Sequence, residues 1–179
     1  SEMCIRDRWR EHPTTYVQSH VSETTDEIAW VKQLFPERSN YLDVYDHFGL
    51  MGKRCILGHA LHLTGAEWRR VAETGTSIAH CPTSNLFLGS GHFDISNAIR
   101  DGKFVRVGLG TDLGAGTSFS QLQTMGAAYQ VARMQGCNLT AIQAFYLATT
   151  GAAETLYLGD KIGNLASGLD ADLVVLDLK

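Results

Sequence analysis

The chain has no run approaching the ~18 uninterrupted apolar residues of a membrane-spanning helix, and its first residues lack the apolar core of a secretory signal. Its four cysteines, Cys4, Cys55, Cys81 and Cys137, stand far apart with no Cys-x-x-Cys pair, which excludes a zinc knuckle or a redox motif. They read as buried or idle thiols. The spacing Gly-x-Gly-x-x-Gly and the ending Gly-Lys-Ser/Thr are both absent, so the glycine-rich stretch from Gly108 to Gly116 is a poor phosphate cradle. A zinc site of the His-x-Glu and Pro-Cys-x-x-Cys kind is excluded in the same way. No excess of positive charge is present either: the net charge is −4, which argues against a nucleic-acid backbone as partner. What remains is an ordinary globular composition, 44% hydrophobic and 19% charged, suited to a small neutral ligand in the cytoplasm.

Against that background three segments stand out. Residues 105–112 form an apolar alternating strand that delivers Asp112 into the turn Gly114-Ala115-Gly116. Two more strand-like segments end in histidine: Tyr16-Val17-Gln18-Ser19-His20, followed at once by Val21-Ser22-Glu23, and Cys55-Ile56-Leu57-Gly58-His59. In a barrel of parallel strands the carboxyl-terminal rim gathers ligands and catalytic groups, so imidazoles and carboxylates repeated at strand ends predict a metal-dependent hydrolase.

Between these strands the pattern is helical. Thr24-Thr25-Asp26-Glu27 has capping-box form, and Ile28, Val31, Leu34 and Phe35 recur at helical spacing until Pro36. Thr64-Gly65-Ala66-Glu67 repeats the signal before Trp68, Val71 and Ala72, and Gly75 ends that helix ahead of a strand at 76–80. A short helix is expected over 93–100, then a turn at Asp101-Gly102. Residues 118–121 cap a longer helix with Leu122, Met125, Tyr129 and Ala132 on one face, and Thr140 starts another. The fold class is therefore α/β. A complete (β/α)8 barrel takes roughly 250 residues, and these signals supply only about four strand–helix units, so the chain reads as a carboxyl-side fragment of a TIM-type barrel. Residues 1–13 are polar and aperiodic, expected to be a leader or artefact. Barrel sequence is expected over 14–162, and the β-branched residues near the end suggest one further strand over 171–178.

The block Ile78-Ala79-His80-Cys81-Pro82-Thr83-Ser84-Asn85-Leu86-Phe87-Leu88-Gly89-Ser90-Gly91, with His20-x-x-Glu23, Gly58-His59 and Gly108-Leu109-Gly110-Thr111-Asp112, resembles the amidohydrolase superfamily. Asp26-Glu27-Ile28-Ala29-Trp30-Val31, Tyr41-Leu42-Asp43-Val44-Tyr45-Asp46 and Thr117-Ser118-Phe119-Ser120 are similar to its guanine-deaminating branch, and the likeness runs from about Tyr16 onward. The resemblance implies zinc-dependent hydrolysis of guanine to xanthine and ammonia. It further implies that residues 163–179 begin a return to a small β-sandwich.

By the same resemblance His20 and Asp112 are metal ligands for one zinc ion, and Glu23, His59 and Asp112 are catalytic. Asp112 takes the proton of the metal-activated water. Glu23 protonates the ring nitrogen beside the attacked carbon and then assists the departing ammonia. His59 orients water and intermediate, and all four residues line the substrate. The superfamily's His-x-His pair occurs nowhere in this sequence, so the remaining ligands are expected on preceding chain. Two other readings stand beside this one: an amidohydrolase for a modified purine, a pterin or a chlorinated heterocycle, and a non-catalytic fragment. The expected partner is a small purine, with no nucleic acid and no membrane, and homodimer formation is left open.

Singly, each residue has a plainer role. Histidines at strand ends are commonly structural, aspartate favours turns and caps, and glutamate sits well near a helix amino terminus. His80 is expected to be pocket wall or support, and His12, His47, His62 and His92 surface or structural. Ser84 and Asn85 are expected in a loop that could hydrogen-bond a purine edge, though polar loop residues more often bond to their own backbone, so they are not counted among the substrate contacts.

Overall fold

The computed structural model describes residues 2–100 and 103–177. Six strands are present among them: β1 (Val17–Val21), β2 (Cys55–His59), β3 (Ser77–His80), β4 (Ile99–Arg100), β5 (Lys103–Phe104) and β6 (Val107–Leu109). The helices are α1 (Glu2–Glu11), α2 (Thr25–Leu34), α3 (Tyr41–His47), α4 (Gly65–Thr74), α5 (Pro82–Leu88), α6 (Gln121–Met134), α7 (Ala141–Ala148) and α8 (Thr150–Thr155). The main sheet has the order β1-β2-β3-β6 and is parallel throughout, so the carboxyl ends of its strands share one rim. The register sets His20 opposite Gly58, Gly58 opposite Ala79, and His80 opposite Leu109. β4 and β5 form a separate antiparallel pair.

Helices on a parallel sheet bury both strand faces, which is why β3 and β6 are apolar or small almost without alternation. The main core joins Val21, Leu57, Trp68, Val71, Ile78 and Phe93, and full burial of such side chains stabilises by about 1.5–3 kcal/mol each. A second cluster of Leu109, Ala128, Ala132, Leu139 and Ala144 seats α6 and α7. Gly108 lets α8 lie directly on β6, since a Cβ there would come within 3.1 Å of Ala152 Cα. On the neighbouring strand Ser77 Oγ donates to the Thr155 carbonyl at 2.9 Å.

Helix α4 begins on a complete capping box between Thr64 and Glu67 and stops at Gly75, which takes the left-handed conformation at φ 75°. The Thr24 signal is only half of such a box. Thr24 does accept from the Glu27 N–H, but the Glu27 carboxylate reaches one residue further back, to the N–H of Glu23. α2 buries none of its residues, with Leu34 exposed.

Other expectations change as well. Residues 2–11 form α1, with Trp9 against the main core. The strand expected to close at Asp112 ends at Leu109, and Asp112 belongs to the following turn. Residues 95–98 form a single 3₁₀ turn leading into β4, where a helix over 93–100 was expected. The expected Asp101-Gly102 turn lies outside the described residues. In α6 the buried side is Thr124, Ala128, Val131 and Ala132, whereas Leu122 and Tyr129 are exposed. Besides α1, three helices went unpredicted: α3, α5 and α8. Residues 171–177 pair with no described strand, and Leu178 of the expected final strand lies outside the described residues. No helix among the described residues is long and apolar enough to cross a membrane.

Candidate active site

The polar groups of the rim ride on unusual backbone. β1 passes from His20 into Ser22 at φ 49°, β2 ends at His59 and Ala60 with φ 70° and 54°, and the turn after β6 carries Asp112 at φ 47°. Left-handed conformations at non-glycine residues cost on the order of 1–3 kcal/mol and persist only where surroundings enforce them. Here the Ala60 N–H donates to the Val21 carbonyl at 2.9 Å, and the buried Ser22 accepts from the Leu61 N–H at 3.2 Å. These bonds fold the two strand ends over the rim together.

His59 lies at the centre of these groups. It is 1% exposed, with Nε2 3.5 Å from Glu23 Oε2 and 3.9 Å from Asp112 Oδ2. Its other nitrogen, Nδ1, lies 2.8 Å from Asn85 Oδ1. The ring of the exposed His20 meets it edge-on, with centroids 4.7 Å apart and planes at 84°. All four residues singled out in the sequence thus meet around one ring.

Their supports come from further elements. Ser90 Oγ donates to Glu23 Oε1 at 2.9 Å. The Glu23 N–H donates to Glu27 Oε2, and the Tyr41 hydroxyl donates to Glu27 Oε1, both at 2.9 Å. Burial first, and then Tyr45 beside it, push the Tyr41 phenol far above its ordinary range, which keeps it a donor. Tyr45 Oη bonds the His20 carbonyl at 2.8 Å, so α3 steadies the end of β1.

Two neighbours are buried and uncharged. His80 stacks on Phe93 at 4.4 Å, and burial, helped by nearby His59, lowers its pKa to about 3. It is a buried, neutral group at physiological pH. Burial, followed by the negative charge of Asp112, raises the Cys81 thiol to about 12, so it stays protonated although it adjoins the site. Ser84 and Asn85, expected in a loop, sit in the buried first part of α5. Asn85 gives its side-chain oxygen to His59, a contact 26 residues away that no local pattern announces. The helix itself had a signal in Pro82 at its start and Gly89 at its end.

The donor atoms of His20, Glu23 and His59 lie within 4.8 Å of one another, and so do those of His59, Cys81 and Asp112. Neutral imidazole and carboxylate oxygen are the donors a catalytic zinc takes, so the residues fit such an ion. His59 belongs to both groups, while His20 and Asp112 each belong to one.

A parallel α/β sheet with imidazoles and carboxylates gathered at its carboxyl rim defines a hydrolase-type barrel segment. The sequence pattern of the Amidohydrolase family matches residues 3–179, and the chain belongs to that family. The match begins inside the segment expected to stand apart from it. The chain is 51% identical over 177 residues to guanine deaminase of Escherichia coli (strain K12), covering 98% of this chain and 40% of that protein. The solved E. coli enzyme superposes with a TM-score of 0.92 at 50% identity, over 95% of this chain and 39% of that one. Guanine deaminase from C. acetobutylicum, solved with guanine in its active site, gives 0.87 at 31% identity, over 94% and 41%. An adenosine deaminase from Xanthomonas campestris with bound zinc gives 0.86 at 30% identity, over 96% and 39%. The chain therefore spans about two fifths of the curated E. coli relative, and its sheet is part of the barrel such enzymes share.

Proposed function

We propose that the protein containing this chain hydrolyses guanine to xanthine and ammonia. The observation that carries the reading is the placement of His59 Nε2 between the Glu23 and Asp112 carboxylates, on a backbone similar to that of a deaminase solved with guanine bound. Water adds its oxygen to the ring carbon bearing the exocyclic amine, the carbon–nitrogen bond breaks, and the amine leaves as ammonia. Asp112 accepts the proton that water gives up. Glu23 delivers its proton to the ring nitrogen beside the attacked carbon, then as a carboxylate takes the proton of the added hydroxyl as the carbonyl forms and relays it to the departing amine. The proton held by Asp112 returns to Glu23 through solvent for the next turnover. His59 holds the attacking oxygen in place through Nε2. General acid–base help of this kind is worth roughly 10²–10⁴-fold in rate.

His20 and Asp112 are the ligands this chain offers to zinc, which when bound makes a water proton available near neutral pH and polarises the attacked group. The four free cysteines suit a reducing compartment, so the cytoplasm and a small purine partner belong to the same proposal. So does a boundary at 163–168: Val174 and Val175 are 85% and 95% exposed, apolar surface that a β-sandwich would cover.

The test is turnover by the whole protein of guanine against a modified purine, a pterin and a chlorinated triazine, with zinc measured alongside. Guanine should lead by kcat/KM. Preference for another of these substrates would assign the protein to another amidohydrolase activity.

A further inference from the structure

Helix α5 carries no charged residue, yet it and the residues just after it hold two polar groups of the rim. Asn85 is 1% exposed, and so is the His59 ring it meets. A carboxamide oxygen only accepts hydrogen bonds, so the ring nitrogen 2.8 Å away is the one that carries hydrogen. Nε2, on the opposite edge, is then left to Glu23 and Asp112. We propose that Asn85 is a positioning residue that keeps the His59 proton on Nδ1, so that Nε2 is the nitrogen presented to the reacting atoms.

A chemical argument and an observation point the same way. Without Asn85 the two carboxylates would draw the hydrogen of a neutral ring to Nε2, turning it from an acceptor into a donor. The carboxamide also has a cost: its Nδ2 finds no partner among the described residues, and an orphaned buried donor destabilises the fold. A leucine of similar size would avoid that cost but leave the buried His59 Nδ1 without its partner, so what the asparagine supplies here is its bond to the ring. The backbone links the two supports of the rim, because the Asn85 carbonyl accepts from the Ser90 N–H at 2.9 Å and Ser90 Oγ holds Glu23. One short segment thus sets the ring and the carboxylate together.

The inference rests on the role given to His59 above, and its test separates the two. In the ¹⁵N-labelled whole protein, long-range ¹H–¹⁵N spectra should show His59 with a protonated Nδ1. The same should hold in Asn85→Asp, whose carboxylate still accepts, while Asn85→Leu should shift the proton to Nε2. In the whole protein Asn85→Leu should lower kcat by about 100-fold with KM within about twofold, and Asn85→Asp should restore kcat to within about tenfold. A bare Nδ1 in the unaltered protein, or an unchanged tautomer in Asn85→Leu, would overturn the proposal. Should Asn85→Leu not fold, the unaltered protein decides alone. Expected spectra together with no guanine turnover by the unaltered whole protein would remove the substrate assignment and leave the positioning intact.

Discussion

Gly58 stands opposite His20 across the β1–β2 register, and a Cβ built on it would lie 3.4 Å from His20 Cδ2. The bare backbone lets the His20 imidazole lie over the neighbouring strand and reach the His59 edge. Gly58→Ala would make ordinary van der Waals contact, whereas Gly58→Val needs the space the ring occupies. In the whole protein Gly58→Val should lose most of its zinc and its deamination while keeping its circular dichroism, and Gly58→Ala should keep most of both. Full zinc content in Gly58→Val would show that this gap does not hold His20.

Glu23 and Asp112 separate by substitution. Glu23→Gln keeps size and still bonds Ser90, but it cannot pass a proton, so turnover should fall by roughly 10²-fold or more with zinc content and stability nearly unchanged. Asp112→Ala removes a ligand and a proton acceptor together, and should lower both zinc and turnover. Metal analysis beside guanine consumption reads the difference. Full activity in Glu23→Gln would remove its acid–base role.

His80 predicts a pH dependence of stability. Its folded pKa of about 3 lies below its ordinary value of 6.5, so the unfolded chain binds the proton more readily. Its contribution is complete above pH 6.5 and is lost as pH falls toward 3, at about 1.4 kcal/mol per pH unit within that window. Urea unfolding at pH 7 and at pH 5 should show a smaller loss for His80→Leu than for the unaltered chain. Equal losses would mean that His80 is protonated in the folded state.

Two changes away from the rim test the packing. Leu57→Ala opens a cavity at a residue 1% exposed and should cost about 2–5 kcal/mol. Gly75→Ala forces a side chain into φ 75° with its Cβ 2.8 Å from Tyr157 Oη, and should cost about 1 kcal/mol or more. Denaturant midpoints at pH 7 check both, and a midpoint shared with the unaltered chain would contradict the packing described.

How much of this was legible depended on whether the cause was local. β2 and α4 could be read because an apolar run and a complete Thr64–Glu67 box are written within a few residues. His20, Glu23, His59 and Asp112 were found through strand ends and family likeness. The face of α6 was misread because Leu122 and Tyr129 satisfy helical periodicity as well as Thr124 and Ala128 do, and only the packing against the sheet distinguishes them. Asn85 was set aside because its partner comes from β2, and the left-handed turn at Asp112 has no glycine at that position to announce it.

That left-handed backbone separates burial from resistance to opening. Ser22, His59 and Ala60 are each 1% exposed, as shielded from water as Leu57 in the strand below them. Conformational strain lowers the free energy needed to open a segment locally, whatever its solvent exposure. In native-state hydrogen exchange the amides of Ala60 and Leu61 should therefore trade deuterium sooner than the ladder amides of β2 and β3, although all are hydrogen-bonded. A rim that opens ahead of its sheet would bare the His59 ring to solvent while β2 and β3 stay paired.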